Sequence, residues 1–557
     1  MIKHVLYLTL GLLISSNLNG QTLDWAKNIE ASSTNRGYTI KVDASGDVYV
    51  AGQFSGLTNF NTGGATFTME SVGIFDSFVA KYNSDGGLIW AKQMGGFADE
   101  ASKISSLALD ADGNIVLLGE FRGTVDFDPG PGEVILTSAM NNNIFICKLD
   151  AAGDFTWVKT FAGSSFSYGS EIKVGADGDI YTAGFFQGVV DFDPGAAEFN
   201  LSAINGDGFV SKLDENGDFI WTVPFSSTGS DNARGLKLDA MDNVYVTGYF
   251  RNTLDFDPGP GTSELTSNGI TDAFICKLDL DGNHEWSRGF GGTEDDVSNG
   301  ISLDNDGDII ITGLYSLTVD FDPSAGESNG TSEGDYDVFV SKFNNDGDFI
   351  WSKQFGGSTY DGGISVTTDA SNNVYAGGYF QATVDFDSGA DTENHTANGA
   401  KDIFIQKMDG DGNFISVQLF GGDLEDNLTA VFVDAENSIY STGAFNNTVD
   451  FDPGAGASDL VSTGQEDAYI LKLNQPSTGI SELSDNEMSL LYPNPANSSL
   501  NIVTSELIES ISIFNLAGEL VQFEQSNHFS IDNLETGVYI VTVKMENSSF
   551  VRKLIKN

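Results

Sequence analysis

The chain has few of the residues on which compact catalytic or metal sites usually depend. Its 557 residues include two cysteines, too few to staple a chain of this length, and four histidines scattered singly through it. Neither a His-rich zinc site nor a Ser-His-Asp constellation is indicated. Basic residues are also scarce, 26 against 80 acidic ones, and the net charge of −54 repels phosphate backbones and anionic lipid headgroups. Nucleic acid is therefore excluded as a partner.

Long apolar runs are missing beyond the first residues of the chain. Lys3 and His4 precede an apolar run from Val5 to Ile14, and small and polar residues follow up to Gly20. This layout is typical of a secretory signal peptide, which we assign to residues 1–20. The run is too short for a membrane-spanning helix, so we expect a soluble exported protein with no membrane-spanning segment in its mature form.

What the chain does contain is glycine and hydrophobic residues. Hydrophobic residues make up 40% of the chain, with 40 Phe, which rules out intrinsic disorder despite the charge. The 65 Gly and 11 Pro favour a β-rich protein with many tight turns. A chain of 557 residues exceeds one compact domain, so several domains or a repeat architecture is required.

Internal repeats define the architecture. The six tryptophans recur every 64 to 67 residues, and Ser416 stands where a seventh would fall. They are Trp25, Trp90, Trp157, Trp221, Trp286 and Trp351. Three motifs repeat in step: a turn and strand such as Asp43–Gly52, an Asp-Phe-Asp segment, and a strand such as Asp272–Asp279. Each repeat thus holds four short strands, which we name a to d, in one antiparallel sheet, with the tryptophan on strand d.

The two ends of the repeat region complement each other. The chain begins with a lone d strand around Trp25, and the last repeat stops after its c strand at Asn474. An open solenoid would need polar capping repeats, and neither end resembles one. Joining the ends closes a ring, so the sequence predicts an all-β protein with a seven-bladed β-propeller over residues 21–474.

Two regions resemble known families. The Phe-x-x-Lys-Leu-Asp strand and the Asn-Val-Tyr-Val-Thr-Gly strand resemble the SBBP-type β-propeller repeat of exported bacterial proteins, a likeness that implies a propeller and no defined activity. After a polar linker, residues 475–490, the motifs Tyr492-Pro493-Asn494-Pro495 and Leu534–Val541 resemble the C-terminal sorting domain (type A) of the type IX secretion system. By resemblance, residues 491–557 form a small β-sandwich that directs export and engages the sorting machinery, which leaves the protein released or attached to the outer cell surface.

The Asp-Phe-Asp-Pro-Gly insertions are the candidate metal sites. On an extended segment, residues i and i+2 face the same way, so the two acids would present their carboxylates together, and Ca²⁺ prefers such oxygen ligands. The alternative is that Phe anchors the insertion while Asp-Pro-Gly forms a capped turn. The acids are Asp126, Asp128, Asp191, Asp193, Asp255, Asp257, Asp320, Asp322, Asp385, Asp387, Asp450 and Asp452. The first repeat carries Asn59 and Asn61 instead and should bind calcium weakly or not at all.

Two other features have ordinary structural interpretations. The Asp-x-Asp-Gly runs, such as Asp279–Asn283, lack the distal Glu and flanking helices of a calcium loop and are typical of hairpin turns. Cys147 and Cys276 occupy equivalent c strand positions two blades apart, beyond disulfide reach, and we expect both to be packed small residues.

Two classes of function remain open. The first is a non-catalytic propeller that binds an extracellular glycan, protein or matrix ligand. The second is an extracellular hydrolase or lyase, since glycoside chemistry needs only two suitably spaced acids. The near-perfect repetition favours the first class. The irregular acidic segments 294–296 and 423–426 are expected to be solvated loop acids.

Overall fold

A computed structural model describes residues 21–96, 100–138, 141–475, 490–492, 494–503, 508–515, 520–545 and 549–557. The chain divides into two compact units, and the first ends at Gln475. The signal peptide assigned to residues 1–20 and all but the ends of the linker assigned to 475–490 lie outside the described residues.

The described part of the first unit is built of β-strands and turns. Its first twenty strands are β1 (Thr22–Ala31), β2 (Asn35–Val42), β3 (Val48–Phe54), β4 (Leu57–Asn59), β5 (Thr68–Glu70), β6 (Asp76–Tyr82), β7 (Leu88–Gly96), β8 (Ala101–Leu109), β9 (Ile115–Arg122), β10 (Thr124–Asp126), β11 (Ile135–Thr137), β12 (Asn143–Leu149), β13 (Phe155–Gly163), β14 (Ser167–Val174), β15 (Ile180–Asp191), β16 (Asn200–Leu213), β17 (Phe219–Phe225), β18 (Asn232–Leu238), β19 (Val244–Phe250) and β20 (Thr253–Asp255).

The remaining strands of this unit repeat the same pattern. They are β21 (Glu264–Thr266), β22 (Asp272–Leu278), β23 (His284–Phe290), β24 (Val297–Leu303), β25 (Ile309–Tyr315), β26 (Thr318–Asp320), β27 (Asn329–Thr331), β28 (Asp337–Phe343), β29 (Phe349–Phe355), β30 (Gly362–Thr368), β31 (Val374–Phe380), β32 (Thr383–Asp385), β33 (Asn394–Thr396), β34 (Asp402–Met408), β35 (Phe414–Phe420), β36 (Asn427–Val433), β37 (Ile439–Phe445), β38 (Thr448–Asp450), β39 (Asp459–Val461) and β40 (Asp467–Asn474).

These strands form seven antiparallel blades, each with strands in the order a-b-c-d. Blades 1 to 7 consist of β2-β3-β6-β7, β8-β9-β12-β13, β14-β15-β16-β17, β18-β19-β22-β23, β24-β25-β28-β29, β30-β31-β34-β35 and β36-β37-β40-β1. Between strands b and c, each blade also carries a short hairpin, such as β10 with β11. The all-β fold class predicted from the sequence is therefore confirmed.

The turns between strands follow directly from their sequence. In the run Asp279–Asn283, Oδ1 of Asp279 accepts the backbone N–H groups of Asp281 at 2.9 Å and Asn283 at 2.8 Å. Gly282 has φ +83°, a conformation that glycine adopts without strain. One carboxylate thus satisfies two backbone donors, which is why this Asp recurs from blade to blade. The hairpin interpretation of these runs matches the geometry.

The hydrophobic core lies between the blades. Seven separate clusters of buried side chains each combine residues from two neighbouring blades, including one that joins blade 7 to blade 1. Each a strand contacts the a strands of the blades before and after it, and β36 contacts β2. The seven a strands therefore surround a common axis, and the ring is closed.

The N-terminal strand completes the ring. Strand β1 pairs antiparallel with β40, from Thr22 opposite Asn474 to Ile29 opposite Ala468. The two chain ends thus share one sheet, as the phase of the repeats predicts. Without β1, strand β40 would present an unpaired edge.

The repeated tryptophans explain why the blades keep their spacing. Each indole packs on the glycine of the c–d turn in the next blade: an added Cβ at Gly86 would lie 2.9 Å from Trp25, and one at Gly347 2.8 Å from Trp286. The indole N–H of Trp25 also donates to the Ser84 carbonyl at 2.9 Å. Ser416 replaces tryptophan in blade 6, whose neighbour, blade 7, has chain ends in place of this turn.

Buried carboxylates meet at four junctions between blades. An Asp at the start of strand c in one blade is paired with an Asp just before or at the start of strand a in the next, and all eight are at most 3% exposed. The pairs are Asp207 with Asp231, Asp272 with Asp296, Asp337 with Asp361, and Asp402 with Asp426. Backbone N–H groups cap them: Asp296 accepts from Gly292 at 2.6 Å and from Ser316 at 3.1 Å.

Burial changes the ionisation of these acids. Removal from water disfavours the charged form and, with the second carboxylate nearby, raises the pKa of Asp296 to about 7. The pKa of Asp272, of Asp337 and of Asp426 rises to about 6, mainly through burial. The structure corrects one expectation from the sequence: Asp296 and Asp426, in segments expected to be solvated, are buried because they cap backbone donors at these junctions.

The second unit contains two sheets. Its strands are β41 (Leu490–Tyr492), β42 (Ser499–Val503), β43 (Ile508–Phe514), β44 (Leu520–Glu524), β45 (His528–Ser530), β46 (Gly537–Met545) and β47 (Ser549–Lys556). They form the sheets β41-β42-β45 and β44-β43-β46-β47. Leu500 and Ile502 from the first sheet share a core with Ile513 and Val541 from the second. This unit is the small β-sandwich predicted for the C-terminal region.

Deleting Thr22–Ala31 should destabilise the propeller strongly. The deletion exposes the edge of β40 and removes Trp25, and truncation of a buried tryptophan alone costs about 3–5 kcal/mol. The matched control is Trp351→Ala, which loses an equivalent indole but leaves the ring closed. Thermal melts should place the deletion well below this control. An unchanged melting temperature for the deletion would contradict closure by β1.

The buried Asp pairs should make the propeller less stable as the pH rises from 5 to 7. The folded pKa of Asp272, about 6, and that of Asp296, about 7, exceed the ordinary value of 3.8, so the folded state holds protons in this range that the unfolded state has released. Stability is therefore greatest below this window and is lost as the pH passes through the folded pKa values.

The substitution Asp272→Asn should reduce this pH dependence. Its Oδ2 accepts the Asn268 N–H at 3.0 Å, a bond that the oxygen of an amide can also accept. Blade 2 carries Asn143 at this position. Urea unfolding at pH 5 and 7 measures the effect, with exposed Asp281→Asn as the control. Equal pH dependence in the wild type and Asp272→Asn would refute the assignment.

Candidate functional site

The Asp-Phe-Asp insertions fold as short hairpins held by their phenylalanines. Each of these Phe side chains is at most 1% exposed. The ring of Phe127 lies 5.2 Å from that of Phe121 and 4.8 Å from that of Phe145, measured between ring centres. The aromatic residue thus anchors the hairpin in the core of its blade.

The acids beside each Phe accept backbone hydrogen bonds. Oδ1 of Asp126 accepts the N–H groups of Asp128 at 3.1 Å and Val134 at 2.8 Å, and Oδ1 of Asp128 accepts that of Gly130 at 2.8 Å. The same three bonds recur in the hairpins that begin at Asp191, Asp255, Asp320, Asp385 and Asp450. In the first repeat, Asn59 Oδ1 accepts from Asn61 and Phe67. The first position of the motif therefore forms this turn with or without a charge.

The geometry also bears on the calcium expectation. The hairpin strand ends at the first Asp of each pair, so the two acids do not share one extended strand. The second oxygen of each carboxylate accepts no hydrogen bond from any residue that the structure describes. Across those same residues, no three His, Cys, Asp or Glu side chains converge so that they could hold a metal ion.

The two cysteines are placed as expected. Cys147 and Cys276 are buried, unbridged thiols. Burial raises the pKa of both thiols, so neither is poised as a thiolate nucleophile.

The most distinctive site lies on the propeller axis. A cavity of about 260 Å³ is lined by side chains and backbone from the a strands of all seven blades. A second cavity of about 370 Å³ shares six of its lining residues and continues it. We call the two together the central channel.

The first cavity of the channel concentrates positive charge. Lys41, Lys173 and Lys237 line it, and Glu171, the one carboxylate among its described lining residues, forms an ion pair with Lys173. In a chain with 80 acidic residues, this excess of lysine over carboxylate is local and unusual.

The channel environment shifts the ionisation of these groups. Burial, together with repulsion from Lys173, lowers the pKa of Lys41 to about 8 and that of Lys237 to about 7. Burial alone would raise the pKa of Glu171, but Lys173 and Lys41 outweigh it and hold this pKa below its ordinary value. Glu171 is therefore a carboxylate near neutral pH.

The second cavity carries two more cations, and both have partners. Lys103 Nζ lies 3.2 Å from Glu120 and 4.7 Å from the ring centre of Tyr38. Arg234 donates to the Asn299 side chain at 2.5 Å and lies 5.2 Å from the ring centre of Tyr249. Glu120 thus neutralises Lys103, whereas the groups that hold Arg234 are uncharged.

Sequence reasoning did not find this site. Its signal was present: lysine occupies the same slot of strand a in blades 1, 3 and 4, whereas blades 2, 5, 6 and 7 carry Ala108, Ser302, Thr367 and Phe432 there. The repeated motifs consist of residues that the blades share, whereas the channel charges come from a strand a position at which the blades differ.

The comparison with known families identifies the second unit. Residues 490–557 match the secretion system C-terminal sorting domain. Such a domain indicates secretion by the type IX system to the cell surface or the extracellular space. The described residues contain no helix that is long and apolar enough to cross a membrane. The molecule is therefore an exported β-propeller protein.

The propeller region is similar to repeat proteins at low identity. An uncharacterized WD repeat-containing protein of Acanthamoeba polyphaga mimivirus is 23% identical over 502 residues, covering 76% of this chain and 36% of that protein. The regulatory protein FlaEY of Caulobacter vibrioides is 23% identical over 498 residues, covering 82% of this chain and 48% of FlaEY. The chain thus spans between about a third and a half of the length of these relatives.

Solved structures give a similar picture. The WD40 repeats of RRP9 match 82% of this chain and 100% of that chain at 8% identity, with a TM-score of 0.42. A protein of unknown function from Bacteroides caccae matches 61% of this chain and 89% of that chain at 10% identity, with a TM-score of 0.30. We draw no functional conclusion from either likeness.

Proposed function

We propose that this protein is a non-catalytic binding propeller of the cell surface or extracellular space, and that its ligand enters the central channel. The observation that carries the proposal is the break in repetition at the channel wall. The a strands of blades 1, 3 and 4 place charged side chains where the other blades place neutral ones. We also infer that the blades are of the SBBP type, on the strength of their strand motifs.

The composition of the channel favours binding over hydrolysis. Glycoside hydrolysis uses two carboxyl groups, one of them a protonated acid. Among the described lining residues the channel offers one carboxylate, Glu171, and its ion pair with Lys173 favours the charged form. A hydrolase or lyase acting at the propeller mouth would need a second acid at this position.

A screen for both retention and cleavage tests the proposed function. The purified full chain, immobilised, would be exposed to a panel of extracellular polysaccharides and matrix proteins. We expect retention of at least one polymer without shortening of its chains. The double variant Lys41→Met/Lys237→Met should lose this retention, while Lys159→Met, on the outer strand of blade 2, should keep it. Cleavage of a retained polymer would favour the hydrolase instead.

We further propose that the Asp-Phe-Asp hairpins bind calcium. Support comes from the second carboxylate oxygen of each Asp, which accepts no hydrogen bond among the described residues, and from the preference of Ca²⁺ for oxygen ligands. A cation would also relieve the repulsion between the two acids of each pair.

Calorimetric titration of the metal-stripped protein with calcium tests this proposal, alongside melts with and without chelator. Calcium at millimolar concentration should raise the melting temperature. Asp128→Asn in one hairpin should remove one binding event, and Asn61→Ser, in the repeat that lacks acids, should remove none. If calcium produces neither a heat of binding nor a shift in melting temperature, the calcium proposal is wrong and these acids are turn-forming residues only.

Removing the sorting domain should separate export from folding. A chain that ends at Asn474 keeps all seven blades, because β40 and β1 lie within it. We expect it to fold, with an unchanged melting temperature for the propeller, and to remain in the periplasm. Cell fractionation with immunoblotting measures this, with the full chain as the control. Export of the shortened chain at the normal level would contradict the role of residues 490–557.

A further inference from the structure

The three channel lysines lie at one level of the propeller. Each occupies the same position of strand a, because each is opposite the equivalent tyrosine of strand b. The pairs are Lys41 with Tyr49, Lys173 with Tyr181, and Lys237 with Tyr245. Residues far apart in the sequence thus bring three ammonium groups to one section of the cavity.

Two of these ammonium groups have no direct ion-pair partner among the described residues. Glu171 neutralises Lys173. Neither Lys41 nor Lys237 forms an ion pair or hydrogen bond with a described residue, although Glu171 attracts both at longer range. Lys41 Nζ also lies 5.8 Å from the ring centre of Phe432. The same level in the other blades is uncharged. With three lysines and one carboxylate, the described lining of the first cavity has more cationic groups than anionic ones.

Such an arrangement costs free energy unless an anion is bound. Lys41 and Lys237 are partly buried in the channel wall, and lost hydration together with repulsion from Lys173 disfavours their charged forms. Both effects lower the pKa of Lys41 and Lys237 towards neutrality. Near pH 7 the channel therefore gains from any group that supplies two negative charges and several hydrogen-bond acceptors.

We propose that the central channel binds a doubly charged oxyanion, sulfate or phosphate, held by Lys41 and Lys237. The anion is either free or, as a phosphate monoester with two charges, part of a larger extracellular molecule. This inference rests on the proposed function, whose ligand chemistry it names. Ammonium groups form short, charge-assisted hydrogen bonds to such oxygens. A cavity of about 260 Å³ also exceeds the share of about 30 Å³ that one water occupies, so bound water can remain beside the anion.

The acidic exterior limits which anions can reach this site. With a net charge of −54, the surface repels polyanions, but salt screens exposed charges beyond about 8 Å at physiological ionic strength. A small anion, or a single ester group at the end of a neutral molecule, avoids most of this repulsion. We therefore expect small or singly substituted ligands rather than densely charged polymers.

Calorimetric titration of the full chain with sulfate at pH 7, in chloride buffers of constant ionic strength, tests the inference. Sulfate should bind with one dominant site. Lys41→Met and Lys237→Met should each weaken binding about tenfold or more, as expected when one charge-assisted partner is lost. Lys159→Met is the matched control, because Lys159 lies on the outer strand β13 and pairs with exposed Asp218. This variant should bind sulfate as tightly as the wild type.

Proton uptake on sulfate binding can be measured with the wild-type protein, so the inference can be tested even if a lysine variant does not fold. Sulfate does not titrate near pH 8, so any protons taken up from the buffer on binding must be bound by groups of the protein. The titratable groups that face the anion are Lys41, Lys173, Lys237, Glu171 and Tyr38. Binding should raise the protonation of Lys41 and Lys237, and titrations in buffers of different ionisation enthalpy should show net proton uptake.

Two results would overturn the inference. One is sulfate binding no better than chloride. The other is sulfate binding that is unchanged in both lysine variants or takes up no protons. If the protein retains a neutral polysaccharide that sulfate does not displace, the proposed binding function is supported and the oxyanion site is rejected. Sulfate binding without retention of any polymer would keep the oxyanion and reject the surface-binding function.

A further comparison assigns the source of the anion. Glucose 6-phosphate is titrated beside inorganic phosphate at pH 8, where both carry close to two charges, with glucose as the control. Similar affinities would support an ester group on a saccharide, and exclusion of the ester would support a free inorganic anion. Binding of glucose as tight as that of its phosphate would contradict recognition of the charge.

Discussion

Closure of the ring is the constraint on which this structure depends. Seven interblade cores exist because each blade has a neighbour on both sides, and the last of them is formed only when β1 pairs with β40. The hydrogen bonds of this pair join residues more than 400 positions apart, so their loop-closure entropy is lost before the contacts form. Trp25 then packs on the c–d turn of blade 1 and gives this seam the same contact that links the other blades. The edge of β40 is thereby covered, and β1 becomes the outer strand of blade 7.

The acidic composition has several distinct roles in this ring. One set of acids caps turns, as Asp279 does, and remains at the surface. A second set forms the Asp-Phe-Asp hairpins, whose phenylalanines anchor them in the blade. A third set is buried at junctions between blades, where Asp296 and its equivalents satisfy backbone donors and retain protons to higher pH. Composition alone suggests one solvated acidic surface, whereas in the fold some acids are exposed in turns and others are buried between blades.

The central channel contrasts with the surface that surrounds it. A propeller made of near-identical repeats would have an axis lined by identical residues, and ligand binding there requires that some blades differ. Blades 1, 3 and 4 contribute lysine at one level, and Glu171 neutralises only one of the three. The sorting domain directs export, and the repeated strands form a rigid frame. The lysines that only blades 1, 3 and 4 carry at this level of strand a give the channel its charge. The function proposed here follows from that division between shared and unshared residues.

The sequence by itself determined the period, the strand types, the turns and the match of the C-terminal region to a sorting domain. These are local properties: Asp-x-x-Gly turns, alternating β-branched strands and a tryptophan every 64 to 67 residues are visible without knowing any neighbour. It could not show that Asp426 is buried, because its neighbour Asp402 lies in another blade. It could not show that Lys41 and Lys237 share a cavity, because nearly 200 residues separate them and a repeat pattern gives no radial position. Tertiary structure decided how deeply each side chain is buried, which residues of different blades are neighbours, and what charge lines the channel. The reason is that only ring closure brings the seven a strands to one axis.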